Sequence, residues 1–291
     1  MRTGILAGAV AGAVGLGALG AATAVRLADA RRAEAAWAHL ATLGAPAAHP
    51  EPFDPAMVEG LPAPARRWFL RAIAPGTPLR AVAEIEMEGE FGLGDRDAPR
   101  YLPMRARQVL APPHGFVWTA TMTSGWPVRV SGSDGYAASG AAGGAWTRFW
   151  LLGVVPVARA ADTPDLVRSA AARGIAEAAL WAPAALLPGE GVAWEPVDDR
   201  RARAIVSHRG ERFPVELEVA EDGRLLSVMM LRWSDANPER AFRWQPFGGT
   251  VAEEARFGGH TVAGRVEAGN HFGTDDYFPF FRARVLDLRF R

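Results

Sequence analysis

Hydrophobic and polar positions change their period twice along this chain. From Thr3 to Val25 no residue is charged, with Arg2 before the run and Arg26 after it. At about 1.5 Å of rise per helical residue such a run crosses a hydrocarbon core about 30 Å thick. It predicts a single-pass helix over residues 1–26. A helical pattern continues through Asp29–Leu43, and four prolines between Gly44 and Pro55 mark a linker. Pro62 and Pro64 open a short helix to about Ala74, with Trp68, Phe69, Ala72 and Ile73 on its apolar side.

The period then falls to two. Ala83, Ile85, Met87, Gly89 and Phe91 alternate with Glu84, Glu86, Glu88 and Glu90, a half-buried strand with a solvated acidic face. Tyr101–Leu110, Gly115–Met122, Trp126–Val130, Tyr136–Ser139 and Ala145–Leu152 read as further strands, with Asp134-Gly135 as a turn between two of them. One helix interrupts them over residues 164–182. Thr163 is its N-cap, Pro164 its first residue and Asp165 lies in its first turn, while Val167, Ala171, Ile175, Ala178 and Trp181 recur at helical spacing. Strands resume at Gly191–Val197, Arg201–Ser207 and Phe213–Val219. Asp222-Gly223 turns the last of these into Leu225–Trp233. Gly258-Gly259 joins Thr250–Phe257 to His260–Glu267, and Arg282–Phe290 closes the chain.

About ten to twelve hairpin-linked strands with one internal helix predict a mainly β (α+β) chain. A sheet that long must curl or split. The expectation is one large curved antiparallel sheet, an open half-barrel with helices on its concave side. It divides the chain into an anchor or signal segment (1–26), a helix and Pro-rich linker (27–60) and a curved β-sheet domain (61–291).

Composition narrows the chemistry. The 32 basic residues are all arginine and balance 32 acidic ones, so no basic face favours nucleic acid. Without lysine there is no Schiff-base amine, phosphate-loop lysine or Ser-x-x-Lys dyad. Without cysteine there is no thiol nucleophile, disulfide, Cys-ligated metal or acylated lipoprotein cysteine. The segment over 1–26 could instead be a cleaved signal peptide, since Ala22-Thr23-Ala24 and Ala28-Asp29-Ala30 fit a small-x-small site. The run is longer than a usual signal core, which favours the anchor. Arg26, Arg31 and Arg32 against Arg2 leave the side of the membrane undetermined.

Candidate reactive groups are few. Gly15, Gly17 and Gly20 match a dinucleotide fingerprint but lack the preceding strand and following acid, and small residues in a membrane helix account for them. There is no Gly-x-Ser-x-Gly or His-Glu-x-x-His. His271 with Asp275 and Asp276 has a spacing that could hold a metal if its loop folds back, although Gly- and Asp-rich loops are usually turns. Glu195, Asp198 and Asp199 could do acid–base work but precede Arg200 and Arg201 in a turn, where ion pairing is favoured. No catalytic, metal or cofactor site is assigned.

Five stretches carry a resemblance: Leu61–Leu70, Pro112–Trp118, Leu151–Val157, Glu177–Asp199 and Tyr277–Arg282. On these the chain resembles an uncharacterised family of bacterial membrane-anchored proteins, which implies a cell-membrane location but no activity. At the level of fold it resembles the open half-barrel of bacterial lipoprotein-carrier and lipid-binding proteins. That resemblance implies a curved sheet around an apolar cavity capped by helices.

The excess is aromatic and aliphatic: 10 Trp and 14 Phe against 3 Tyr. Leu225–Leu231 is apolar on both strand faces, which predicts cover on both sides. The sequence reading is a membrane-tethered, non-catalytic binding or carrier domain for a lipid or other apolar small molecule, its cavity formed by Phe116, Trp118, Met122, Trp181, Leu226, Val228 and Met230. An enzyme with carboxylates and histidines around the same cavity, and a structural envelope protein without a ligand, remain alternatives. The oligomeric state is open.

Overall fold

The computed structural model describes the backbone of residues 2–44, 50–125 and 128–291, and the side chains of these from Gly17 onward. Among the described residues thirteen strands form one antiparallel sheet. They are β1 (Ala83–Leu93), β2 (Arg100–Ala111), β3 (Gly115–Thr123), β4 (Arg129–Ala137), β5 (Gly144–Leu151), β6 (Val155–Ala161), β7 (Val192–Pro196), β8 (Arg201–His208), β9 (Glu211–Val219), β10 (Leu225–Ser234), β11 (Arg243–Phe257), β12 (His260–Asn270) and β13 (Phe278–Phe290). β1 to β6 make one meander and β7 to β13 a second. β13 pairs with β1, so the two join at the centre and the open edges are β6 and β7. Both edge strands carry a proline, Pro156 and Pro196, which cannot extend the ladder.

Three α-helices among the described residues accompany the sheet: α1 (Arg2–Thr42), α2 (Ala63–Ala72) and α3 (Pro164–Trp181). α3 carries the chain from the β6 edge to the β7 edge. Thr163 caps it, Oγ1 accepting from the Leu166 N–H at 3.2 Å. Its contacts run from β5 through β2 to β12, β10 and β9. In a flat sheet β5 and β9 would stand nine spacings apart, about 43 Å, far more than the width of a helix, about 10–12 Å. The sheet therefore wraps around α3. Ten of its residues, from Ser169 to Trp181, are buried, and burial on all sides explains why small alanines dominate it.

The strand alternation separates two cores. Even positions of β2 and β3 (Leu102, Met104, Leu110, Phe116, Trp118, Met122) join α2 and α3 in the larger, inner core. Odd positions (Val109, Ala111, Val117) face outward and pack under Ala33, Ala36 and Leu40 of α1, with Trp146 of β5. The expectation of helices on the concave side thus holds for α2 and α3 but not for α1, whose described part covers the outer face. Asp29 fastens it there. Its carboxylate lies 3.2 Å from Arg148 and 2.5 Å from Arg159 and accepts from the Trp150 indole. Burial lowers the Arg148 pKa from the ordinary arginine value, with Asp29 opposing the shift.

Other details also depart from the sequence reading. β4 runs unbroken through Asp134-Gly135, so no turn lies there. Gly135 leaves room for the Trp146 ring, which a Cβ would meet at 2.5 Å, and Asp134 faces inward. Trp126, read as the start of a strand, lies outside the described residues. β6 was not expected, because Val155–Ala161 has no alternating pattern; as an edge strand it is largely exposed. Leu225–Leu231 is covered on one face only. Val228 and Met230 enter the inner core, while Leu231 is 55% exposed on the other side. In the linker region Phe53 and Val58 are buried in the inner core. Among the described residues no helix is long and apolar enough to cross a membrane. The span read over Thr3–Val25 falls largely on positions 3–16, whose side chains lie outside the described residues.

Candidate functional site

Between α3 and the inner face lies a cavity of about 510 Å³. Its wall draws on all strands from β1 to β6 and from β10 to β13, together with α3. Aromatic rings dominate: Phe91, Trp118, Phe149, Phe247, Phe280 and Phe281. Trp118 stands 5.9–6.2 Å, centroid to centroid, from Phe91, Phe149 and Phe281. Gly248 and Gly249 of β11 also line it. A side chain on Gly249 would run into the Glu267 carbonyl of β12, so glycine lets neighbouring strands coil tightly around the space.

The structure brings five of the seven residues named from sequence to this wall: Trp118, Met122, Trp181, Val228 and Met230. Phe116 is fully buried but lies outside the lining. It packs against Gly174 and beneath the Arg173 guanidinium, 4.5 Å from its ring centroid. Leu226 is also outside, at a bulge in the β9–β10 pairing that breaks the alternation of β10. The aromatic residues that sequence reasoning missed, Phe91, Phe149, Phe247, Phe280 and Phe281, come from four separate strands. Only Phe91 belonged to a clear alternating run.

A polar cluster borders the apolar wall. Arg173 donates to Glu177 at 2.6 Å and to Asp134. Gln108 donates to Glu177 at 2.5 Å, and Thr147 to Asp134 at 2.8 Å. Burial alone would lower the Arg173 pKa, but Glu177 and then Asp134 outweigh it and raise it. These contacts tie α3 to β2, β4 and β5. Donors engage both oxygens of each carboxylate.

Arg232 is different. It follows Val228 and Met230 on the inward face of β10 and lines the cavity. Its Nε donates to Ser169 Oγ at 2.9 Å, and the guanidinium lies 4.9 Å from the Phe247 centroid. Among the described residues no carboxylate lies within ion-pairing distance of it. Burial, and then the charge of Arg173, lower its pKa to about 10. Trp118 adds an unpartnered donor, since its indole N–H is buried without an acceptor. A charged residue in register with Val228 and Met230 was the sequence signal for Arg232.

The remaining candidates stay apart. His271 lies in a turn, its φ of 59° in the left-handed region, with Nε2 2.9 Å from the Ala236 carbonyl; Asp275 and Asp276 are exposed. Asp198 closes a turn on the Arg200 and Arg201 N–H groups and pairs with the Arg201 side chain. Among the described residues no group of three or more His, Cys, Asp or Glu could hold a metal ion.

The model of a family described as "Family of unknown function (DUF6544)" matches residues 51–283. Among curated proteins none matches. Similar solved structures include a LolA superfamily protein from Nitrosomonas europaea, at 10% identity and a TM-score of 0.38, covering 79% of this chain and 92% of the other. A DUF1329 family protein from Desulfovibrio piger matches at 8% identity and a TM-score of 0.39, covering 72% and 86%. At those scores the likenesses carry no argument about function.

Proposed function

The chain belongs to the family of unknown function DUF6544, and we propose that within it this protein is a non-catalytic binding or carrier domain for a lipid or another apolar ligand. One observation carries the reading: an apolar, aromatic-walled cavity of about 510 Å³ between α3 and the inner sheet face. Its volume lies within the range of small-molecule sites, about 300–1,000 Å³. Burial of an acyl chain there would contribute about 0.8 kcal/mol per methylene. We further propose that residues 1–26 tether the domain to a membrane, which would place the cavity near a source of such ligands.

The Asp134–Arg173–Glu177 cluster is the feature an enzyme reading would use. Its carboxylates serve Arg173, Gln108 and Thr147 instead, as braces between α3 and the sheet. Native mass spectrometry of the purified chain, with lipid extraction, tests the binding reading. Co-purifying lipid, or uptake of a fluorescent fatty-acid probe, is expected. A chain that carries no lipid and takes up no probe would count against it.

A further inference from the structure

The cavity is not uniformly apolar: Arg173 and Arg232 line it together with Asp134, Glu177 and Glu267, and the donors left unengaged there are those of Arg232 and Trp118. Arg232 offers a guanidinium with five N–H donors, of which only Nε is engaged, by Ser169. Of the carboxylates nearby, Asp134 and Glu177 pair with Arg173 and Glu267 with Arg282, while Asp235 acts on Arg232 only through its charge, beyond ion-pairing distance. Trp118, 3% exposed on the same wall, has an indole N–H with no acceptor. The buried Trp118 donor costs free energy until an acceptor arrives, and the half-buried Arg232 guanidinium has its terminal N–H groups free for an acceptor in the cavity. A ligand with only hydrocarbon would leave both unanswered.

Resting on the apolar-ligand reading, we propose that the cavity selects an amphiphile whose anionic head, a carboxylate or phosphate, bonds to Arg232 while its chain lies along the aromatic wall and Trp118 donates to a head oxygen. The depressed pKa of Arg232 fits this, because burial strips solvent from the guanidinium and an anion beside it would stabilise its charge. Guanidinium suits both heads, since its planar fork matches carboxylate and phosphate oxygens.

The experiment measures binding of three probes of equal chain length to the full chain by tryptophan fluorescence: palmitate, hexadecyl phosphate and hexadecan-1-ol. Inorganic phosphate alone is a fourth arm. The expected result is that the two anionic amphiphiles bind roughly ten- to a hundredfold tighter than the alcohol, the range for a charged hydrogen bond. Inorganic phosphate should not bind detectably. Arg232→Gln should erase the preference for the anionic amphiphiles over the alcohol, while Arg232→Lys should keep part of it. Equal wild-type affinity for all three amphiphiles would overturn the anionic-head assignment and leave the apolar cavity standing. Failure of all three to bind would overturn the cavity reading and this proposal with it. Phosphate binding as tight as hexadecyl phosphate would show a plain anion site and overturn the amphiphile. The wild-type comparison decides even if Arg232→Gln fails to fold.

Discussion

The phenol of Tyr136 on β4 and the imidazole of His208 on β8 meet at 3.0 Å, although nine strand spacings separate those strands within the sheet. Arg209 reinforces the closure by donating to the Ala138 carbonyl at 2.9 Å. The two meanders, joined in the middle through β1 and β13, thus meet again at this end across α3. The open edges lie just beyond the partners, β6 two strands past β4 and β7 one strand past β8, so the sheet is nearly a barrel without a continuous ladder.

That junction makes stability depend on pH. Burial, then the charges of His114 and Arg209, lower the His208 pKa below its ordinary value, and burial lowers that of His260, 2% exposed against Phe290. A histidine with a depressed folded pKa takes up its proton more readily in the unfolded chain. Stability is therefore full above about pH 6.5, the unfolded value, and falls as pH drops below it, by at most about 1.4 kcal/mol per pH unit for each proton. Urea midpoints should be flat from pH 8 to 7 and decline toward pH 5. In the double variant His208→Gln, His260→Phe that decline should shrink. An equally steep decline in the variant would mean that other groups are responsible.

The outer face yields a second prediction. Asp29, 6% exposed, is the carboxylate that answers buried Arg148. Asp29→Asn leaves that guanidinium in protein without a counter-charge, a loss of about 3–5 kcal/mol for a broken buried pair. Hydrogen exchange should show residues 27–42 losing protection before the sheet does. Adding Arg148→Met should recover most of the stability, because the unpaired charge is gone. If the double variant is no better than Asp29→Asn alone, the ion pair is not what docks α1.

Residues 1–26 carry a third. The full chain should partition with membranes and require detergent for extraction, and a chain beginning at Leu27 should remain in the aqueous fraction. Recovery of the mature protein in the soluble fraction, with its N-terminus near Ala24 or Ala30, would identify a cleaved signal segment instead.

What could be read from the sequence followed from periodicity, and what could not followed from contacts between distant strands. β1, β3 and the hairpins at Asp222-Gly223 and Gly258-Gly259 were legible because alternation and turn residues act locally. α3 was legible through Thr163 and Pro164. The mistaken turn at Asp134-Gly135 shows the limit. The same dipeptide that favours a hairpin here provides an inward carboxylate for Arg173 and a bare backbone under Trp146. Neither partner lies within ten residues of it. The site was half legible for the same reason. Val228, Met230 and Trp118 follow from strand faces, but the convergence of Phe91, Phe149, Phe247 and Phe281 depends on curvature, which no single strand encodes. The bulge beside Leu226 likewise arises from pairing with β9 rather than from the residues of β10 themselves.

The last prediction concerns how α3 is held over the cavity. Trp181 is 1% exposed, lines the cavity and donates from its indole to the Ala263 carbonyl of β12 at 3.0 Å. It ends α3, and the chain turns away at Pro183. Trp181→Ala removes a large buried ring and leaves a carbonyl without its donor, a loss of about 3–5 kcal/mol for such a truncation. His271→Ala removes one bond at a turn and should cost under about 1 kcal/mol. Because α3 forms one wall of the cavity, Trp181→Ala should also weaken probe uptake, whereas His271→Ala should leave uptake intact. Urea midpoints and fatty-acid uptake for the two variants, measured side by side, check both halves. If Trp181→Ala is as stable as wild type and takes up probe equally well, α3 is not the wall that holds the ligand, and the cavity must be closed by something else.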